Sequence, residues 1–267
     1  MALYVSTGAR QSLLKGDSLR DMFNRNTALI KVYSGAAPAT ADAAATGTLL
    51  VTISAASATA GTKQKVRFTP TAGDATTNTW TITLNGVAHS FVDSGSLSPT
   101  QICTGLYNLI GAGNGSAITT PAGTINIPQL NARFALTDNT GTLDIEAATL
   151  GMSFEYTATV SGGGTGSWTT AVQAAHAGLD FELASDVASG IIEKLSSQTW
   201  SGVAGATGTA GYFRLVQYAD TAALSTSQIR LQGTVNTSNA DLNMSKVNVV
   251  TGETHTITTF SITAPAT

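Results

Sequence analysis

The chain has 267 residues, a formal net charge of -3 and only 11% charged residues, with Ser, Thr, Ala and Gly filling the space between apolar positions. That length allows one large all-β domain or two smaller ones, and a chain that is 42% hydrophobic with little net charge falls outside the disordered class. Scattered Lys and Arg exclude an electrostatic footprint for nucleic acid, the single Cys103 excludes an intramolecular disulfide or a cysteine-based zinc site, and no apolar run approaches the ~18 residues of a membrane span.

The first element is a short amphipathic helix: Leu13 and Leu14, then Leu19, Met22 and Phe23 at helical spacing, behind a cap at Asp17 or Ser18. Residues 1–29 therefore read as an N-terminal helical arm whose apolar stripe docks on the following domain or on another subunit. Leu13, Leu14, Leu19, Met22 and Phe23 are the candidate assembly contacts. On this reading, removing Met1 to Asn24 abolishes attachment and leaves the β domains folded. From Ile30 the pattern turns to strands, with "IKVYS" and "TLLVTIS" punctuated by Gly35, Pro38 and Gly47. Asp42, between them, reads as an Asx-turn or loop-capping residue rather than a catalytic acid.

The clearest hairpin is "TWTITLNGVAHSF", where Asn85-Gly86 supplies the two positive-φ residues of a type I′ turn. That register sets Leu84 against Val87, Ile82 against His89 and Trp80 against Phe91, which leaves one apolar face. Ser98-Pro99-Thr100-Gln101 is a capping box with Pro at the first helical position, and Ile102, Leu106, Leu109 and Ile110 follow until Gly111. This helix is expected on the apolar face of the hairpin. A second hairpin turns at Asp138 to Gly141, and Met152, Phe154, Tyr156 and Val160 share one face of a further strand. Gly162 to Gly164 read as the start of a flexible exit.

After Gly178 come the short apolar runs "LDFEL", "GIIEKLSSQTW", "GYFRLVQYA", "SQIRLQGTV", "ADLNMSKVNVV" and "THTITTFSIT", separated by turn residues as in a sandwich. The early strands cannot form a stable sheet alone. The expected fold is therefore mainly β: a discontinuous β-sandwich formed by residues 30–56 and 177–267, interrupted by a small α+β insertion over 57–176 (a sheet with one helix).

Sites of chemistry are sparse. His89, His176 and His255 are far apart and lack metal-ligand spacing, no G-x-S-x-G elbow occurs, and "GAGNGS" at Gly111 to Ser116 follows a helix rather than a strand. Asp138, Asn139 and Asp144 fail the calcium-loop order, while Glu146, Glu155, Glu182 and Glu193 fall in or near strands as solvated positions. Trp80 and Trp200 read as core residues and Trp168 as the most exposed of the three, the residue a sugar platform would need. Cys103, within the helix, reads as a buried inert thiol. No catalytic, cofactor or metal site is expected.

Three stretches carry a resemblance. "YSGAAPATADAAATGTLL", "TWSGVAGATGTAGYFRLV" and "IRLQGTVNTSNADLN" resemble a family of tailed-bacteriophage virion structural proteins through Tyr33, Gly35, Pro38, Asp42 and Gly47, then Trp200, Gly208, Ala210, Phe213 and Arg214, then Arg230, Gly233, Asp241 and Leu242. The middle, from "TWTITLNGVAHSFV" to "GMSFEYTATV", is similar to a small module that recurs in phage sheath and other virion proteins. The resemblance implies a non-enzymatic building block without cofactors, most simply a capsid decoration or cement protein. A tail, neck or adsorption-apparatus component, including a carbohydrate-binding adhesin, is the alternative. It implies virion localisation after synthesis in the host cytoplasm, partners among major capsid or tail proteins, and a homo-oligomer for which analogy favours a trimer. Nucleic acid and membrane are not expected partners.

Overall fold

The computed structural model of the chain describes residues 3–24, 27–58, 62–73, 75–93, 95–111, 118–120, 123–125, 134–148, 153–183 and 190–263. Met152 and most of the "GAGNGS" stretch lie outside the described residues. The N-terminal part forms β1 (Tyr4–Val5), α1 (Thr7–Leu14), α2 (Leu19–Asn24), β2 (Ala28–Ser34) and β3 (Leu49–Ala55). The middle forms β4 (Lys65–Pro70), β5 (Asn78–Leu84), β6 (Val87–Asp93), α3 (Pro99–Gly111), β7 (Ile118–Thr120), β8 (Gly123–Ile125), β9 (Phe134–Asp138), β10 (Leu143–Ala147), β11 (Tyr156–Gly162) and β12 (Trp168–Ala174). The C-terminal part forms β13 (Phe181–Leu183), β14 (Ile191–Lys194), β15 (Trp200–Val203), β16 (Gly208–Gln217), β17 (Arg230–Asn236), β18 (Leu242–Asn243), β19 (Asn248–Val249), β20 (Thr254–Ile257) and β21 (Ser261–Thr263). The fold is mainly β, and its contacts divide it into two units: Met1–Gly61 with Ala177–Thr267, and Thr62–His176.

In the discontinuous unit, the described strands form a sheet in the order β1-β17-β16-β2-β3-β15-β20, with β18 beside β17 and β19 beside β16. A second sheet, β13-β14-β21, shares its core. Alternation along the strands sends Ile30, Val32, Phe213, Leu215 and Leu231 inward, where they meet Phe181, Ile192 and Ile262 of the smaller sheet. Phe260 and Trp200 fill the centre, with ring centroids 5.1 Å apart for Phe181 and Trp200 and 5.7 Å for Phe213 and Phe260. Each such side chain contributes about 1.5–3 kcal/mol by leaving water. The chain leaves this unit after β3 and re-enters before β13 at neighbouring points, where the Ala55 N–H donates to the Ala177 carbonyl at 3.0 Å.

Over β2, β16 and β17 the outward face of the larger sheet is covered, whereas Val203, Thr254 and Thr256 on β15 and β20 are exposed. Lys31 pairs with Arg214 and Tyr33 with Tyr212 across β2 and β16, while Arg214 pairs with Gln232 and Val216 with Arg230 across β16 and β17. The segment between β2 and β3 folds back over this polar layer. Gly211 permits the closest approach: a Cβ there would stand 1.9 Å from the Gly35 carbonyl oxygen.

The unit Thr62–His176 places α3 against two small sheets, β12-β4-β10-β9 and β11-β5-β6, with β7 and β8 paired apart from them. Hairpin β5–β6 has the register expected from its sequence, Leu84 with Val87 and Trp80 with Phe91, around Asn85 (φ 48°) and Gly86 (φ 81°). The capping box is formed as well. The Ser98 N–H and hydroxyl both donate to Gln101 Oε1 at 3.0 Å, and the Gln101 N–H donates to Ser98 Oγ at 3.3 Å. Ile102, Leu106, Leu109 and Ile110 are buried with Trp80, Ile82 and Leu84 from one sheet and Phe68, Leu143 and Ile145 from the other. The stretch from Gly162 is the connection between β11 and β12 rather than a flexible exit. It is held because Gly166 lies against the Trp80 ring, and because β12 pairs along β4.

Candidate assembly site

The N-terminal segment contains two helices where the sequence pattern suggests one. Gly16 (φ 99°) ends α1 by donating its N–H to the Leu13 carbonyl, and Ser18 Oγ then accepts from the Asp21 N–H at the start of α2. Strand β1 pairs with β17, setting Tyr4 against Gln232 and Val5 against Leu231. Ser6 caps α1 by accepting from the Ala9 N–H, and its hydroxyl donates to the Gln228 carbonyl at 2.8 Å. Asp42 accepts from the Thr7 N–H at 2.8 Å and the Thr7 hydroxyl at 2.7 Å, so it stands at the positive end of α1. Partial burial opposes ionisation of Asp42, but the two Thr7 hydrogen bonds, with Arg10 and Arg230 nearby, hold its carboxyl below the usual range. Asp42 is thus a capping residue, for a helix remote in sequence.

The five candidate contact residues separate into two groups. Met22 and Phe23 are 2% and 0% exposed and belong to the core of the sandwich, and Leu19 packs against that core. They are structural residues of their own unit, because α2 is short enough to lay its whole apolar stripe between the sheets. Leu13 and Leu14 remain on the surface, 42% and 89% exposed. Tyr4 and Val5 on the edge strand are exposed too, as is Leu224. Leu224 precedes Ser225, whose N–H donates to the Asp42 carbonyl at 2.9 Å. The hydrogen bonds of Asp42 therefore tie α1 to the loop that carries Leu224.

Beneath the segment between β2 and β3 lies the polar layer. Arg230 Nε bonds Asp220 Oδ2 at 2.5 Å with both side chains out of solvent. The Thr46 N–H donates to the Tyr212 hydroxyl, which donates to the Thr46 carbonyl, and Gln232 Nε2 donates to the Pro38 carbonyl at 2.8 Å. Burial raises the Tyr33 hydroxyl to about 12 and lowers Lys31, whose Nζ donates to the Asp220 carbonyl. These groups lock the covering segment onto the sheet and are closed to a substrate. Tyr33, Pro38, Asp42, Arg214 and Arg230, from three stretches far apart in the sequence, converge here.

No family model, curated protein or solved structure matches the chain.

The remaining sequence candidates are mostly engaged in structure. Among the described residues, no three His, Cys, Asp or Glu side chains gather as a metal-holding group, and no helix is long and apolar enough to cross a membrane. Trp80 and Trp200 are buried, and Trp168 is half-buried, standing edge-on to Trp80 at 5.3 Å with its Nε1 donating to the Thr159 carbonyl. Burial withholds the Trp80 and Trp200 rings from a sugar. Cys103 is buried and its thiol is pushed up to about 12 by burial, with Asp138 adding to the shift. Asp138 Oδ2 accepts from the Thr104 hydroxyl, and Asp144 accepts from Arg67 in two bonds of 2.7 and 2.8 Å. A cleft of about 570 Å³ at the rim of the sandwich is lined by Glu182, Glu193, Lys194 and Asp241 among others. There Glu182 Oε1 accepts from the Ser196 N–H and Asp241 Oδ2 from Thr234, so two of these acids brace loops.

Sequence reading missed the burial of Arg214, Arg230 and Asp220. A charged residue at an alternate position of an apolar strand ordinarily reads as solvated. The available signal was the unusual apolarity of both flanks in "YFRLV" and "IRLQG".

Proposed function

We propose that the chain is a non-enzymatic structural protein of a tailed-bacteriophage virion, a capsid decoration or cement protein bound to the assembled shell. The observation that carries this reading is the rigid presentation of Leu13 and Leu14 on α1. That helix is fixed at one edge of the large sheet by Ser6 and Asp42, next to the exposed strand β1. A helix anchored by partly buried hydrogen bonds yet displaying two leucines has the form of a contact element. Low surface charge and abundant Thr and Ser suit close packing of many copies, because little repulsion accumulates between neighbours.

The test is to mix the purified chain with shells assembled without it and follow co-sedimentation, then locate it by cryo-EM. The expected result is saturable binding to the shell at many copies, reduced by the pair Leu13→Ser and Leu14→Ser. Density confined to the tail, neck or adsorption apparatus would replace the decoration reading with the tail reading. Light scattering of the free chain tests the homo-oligomer, with a trimer expected.

A further inference from the structure

Strand β12 ends its sheet, and its outer edge has no strand beside it among the described residues. Every residue from Thr169 to Gln173 is exposed. Yet Thr170 and Val172 stand directly opposite Phe68 and Val66, whose side chains are fully buried, so they belong to the core side of the sheet. Val172 is 54% exposed there. The core-side row thus runs out onto an open edge.

This edge lacks the devices that keep strands apart. Native edge strands are blunted by charges, proline, shortness or a bulge. No Asp, Glu, Lys, Arg or Pro occurs from Tyr156 to Gly178, and the register shift of β12 falls at its far end, between Val172 and Ala174. The other edges of the two sheets around α3 are engaged. Helix α3 packs against β9 and β6, and β11 gives its Thr159 carbonyl to the Trp168 indole N–H at 3.1 Å.

We propose that β12 pairs with β12 of a second copy of this chain, antiparallel about a two-fold axis at Ala171. Such an axis must set one residue against itself, because a residue facing its chain neighbour would point to the wrong side of the sheet. Ala171, the middle of the exposed run, meets its own image without bulk or charge. The same register sets Thr170 against Val172, a β-branched pair on the core side, and Thr169 against Gln173. Arg67, opposite Ala171 on β4, is already held by Asp144, so no like charges are opposed across the contact. This charge match selects a second copy, since a strand bearing charges would find none to answer them on β12. The ladder is short, which sets a weak association, with a dissociation constant of about 10–100 µM, that takes hold where copies are crowded. It is separate from the leucines of α1 and does not depend on the decoration reading.

The test uses the full chain. Sedimentation equilibrium from about 5 to 300 µM should show the mean mass rising toward twice its dilute value. Ala171→Lys and Ala171→Glu should each hold the dilute mass, and an equimolar mixture of the two should recover the rise, because each altered strand then meets the opposite charge. A constant mass for the natural chain, or a rise that either folded variant keeps, overturns the proposal. Loss in both variants without recovery in the mixture also overturns it and gives the edge to a different chain. Hydrogen exchange of the natural chain decides the matter independently of how the variants fold. Alternate amides of β12 should exchange more slowly at the high concentration than at the low one, and equal rates there overturn the proposal.

Discussion

Arg230 and Asp220 are joined by a 2.5 Å ion pair from which solvent is excluded, and the remaining donors of Arg230 reach the carbonyls of Ala41, Asp42 and Ala223. The pair therefore holds the segment between β2 and β3 and the loop after β16 in one place. Removing one partner leaves the other charged and buried. Asp220→Ala should destabilise the chain by about 3–5 kcal/mol in urea unfolding, whereas Arg230→Met combined with Asp220→Leu should recover much of that loss. A single-variant cost under about 1 kcal/mol would show that the layer does not depend on the pair.

Acid should weaken the fold before the carboxylates titrate. His89 is 1% exposed with both ring nitrogens unpartnered among the described residues, and burial holds its pKa below the ordinary 6.5. His255 is also lowered, by burial first and by Lys246, against an opposing effect of Glu253. The unfolded chain thus takes up protons more readily than the folded one. Their contribution to stability is complete above the unfolded value of roughly 6.5 and is lost as pH falls through the folded values. Urea midpoints should be flat from about pH 8 to 7 and decline from about pH 6.5 to 5, with a shallower decline in His89→Leu. Unchanged midpoints over that acid range would contradict this.

The N-terminal segment should not behave as a detachable arm. Phe23 is fully buried against the sandwich, with its ring 5.9 Å from that of Phe181. Phe23→Ala should cost about 3–5 kcal/mol, and deletion of Met1 to Asn24 should damage the β unit itself. Leu14→Ser, at an exposed position, should alter stability by less than about 0.5 kcal/mol, and under the proposed decoration role it should weaken shell attachment. Measuring unfolding and co-sedimentation on the same variants separates the two roles. Intact β signal after the deletion would restore the detachable arm.

Helix α3 should respond to its cap. Ser98→Ala removes the acceptor for the Gln101 N–H and one donor to Gln101 Oε1, and should cost about 1 kcal/mol. Thermal melts of the natural and variant chains would show it. Equal melts would mean that packing of Ile102, Leu106 and Leu109 alone sets the helix start.

What was legible in the sequence was local. The β5–β6 hairpin follows from Asn85-Gly86 and strict alternation, and the start of α3 from four consecutive residues, because both signals act over a few positions. The partners of Asp42, Arg214 and Arg230 depend on a segment folding over the second face of a sheet, and no periodicity encodes that. Helix α1 was merged with α2 because the polar run "TGARQS" hides its pattern, its anchors being Ser6 and a distant Asp42. Trp168 is the most exposed of the three tryptophans, as its glycine-rich surroundings suggest, yet it is half-buried rather than free, because Gly166 is small and lets the backbone rest on Trp80. The candidate contact surface was half legible, since alternation identifies apolar residues but not which of them the chain keeps for itself.

The close of the sandwich at Ala55 and Ala177 has one more consequence. The end of β3 and the returning segment before β13 are joined by a direct backbone hydrogen bond, so the two ends of the insertion meet the host unit side by side. It works as a socket. Thr62–His176 could be replaced by a tight turn, or by a foreign domain whose ends lie close together, and the sheets around Trp200 would still assemble.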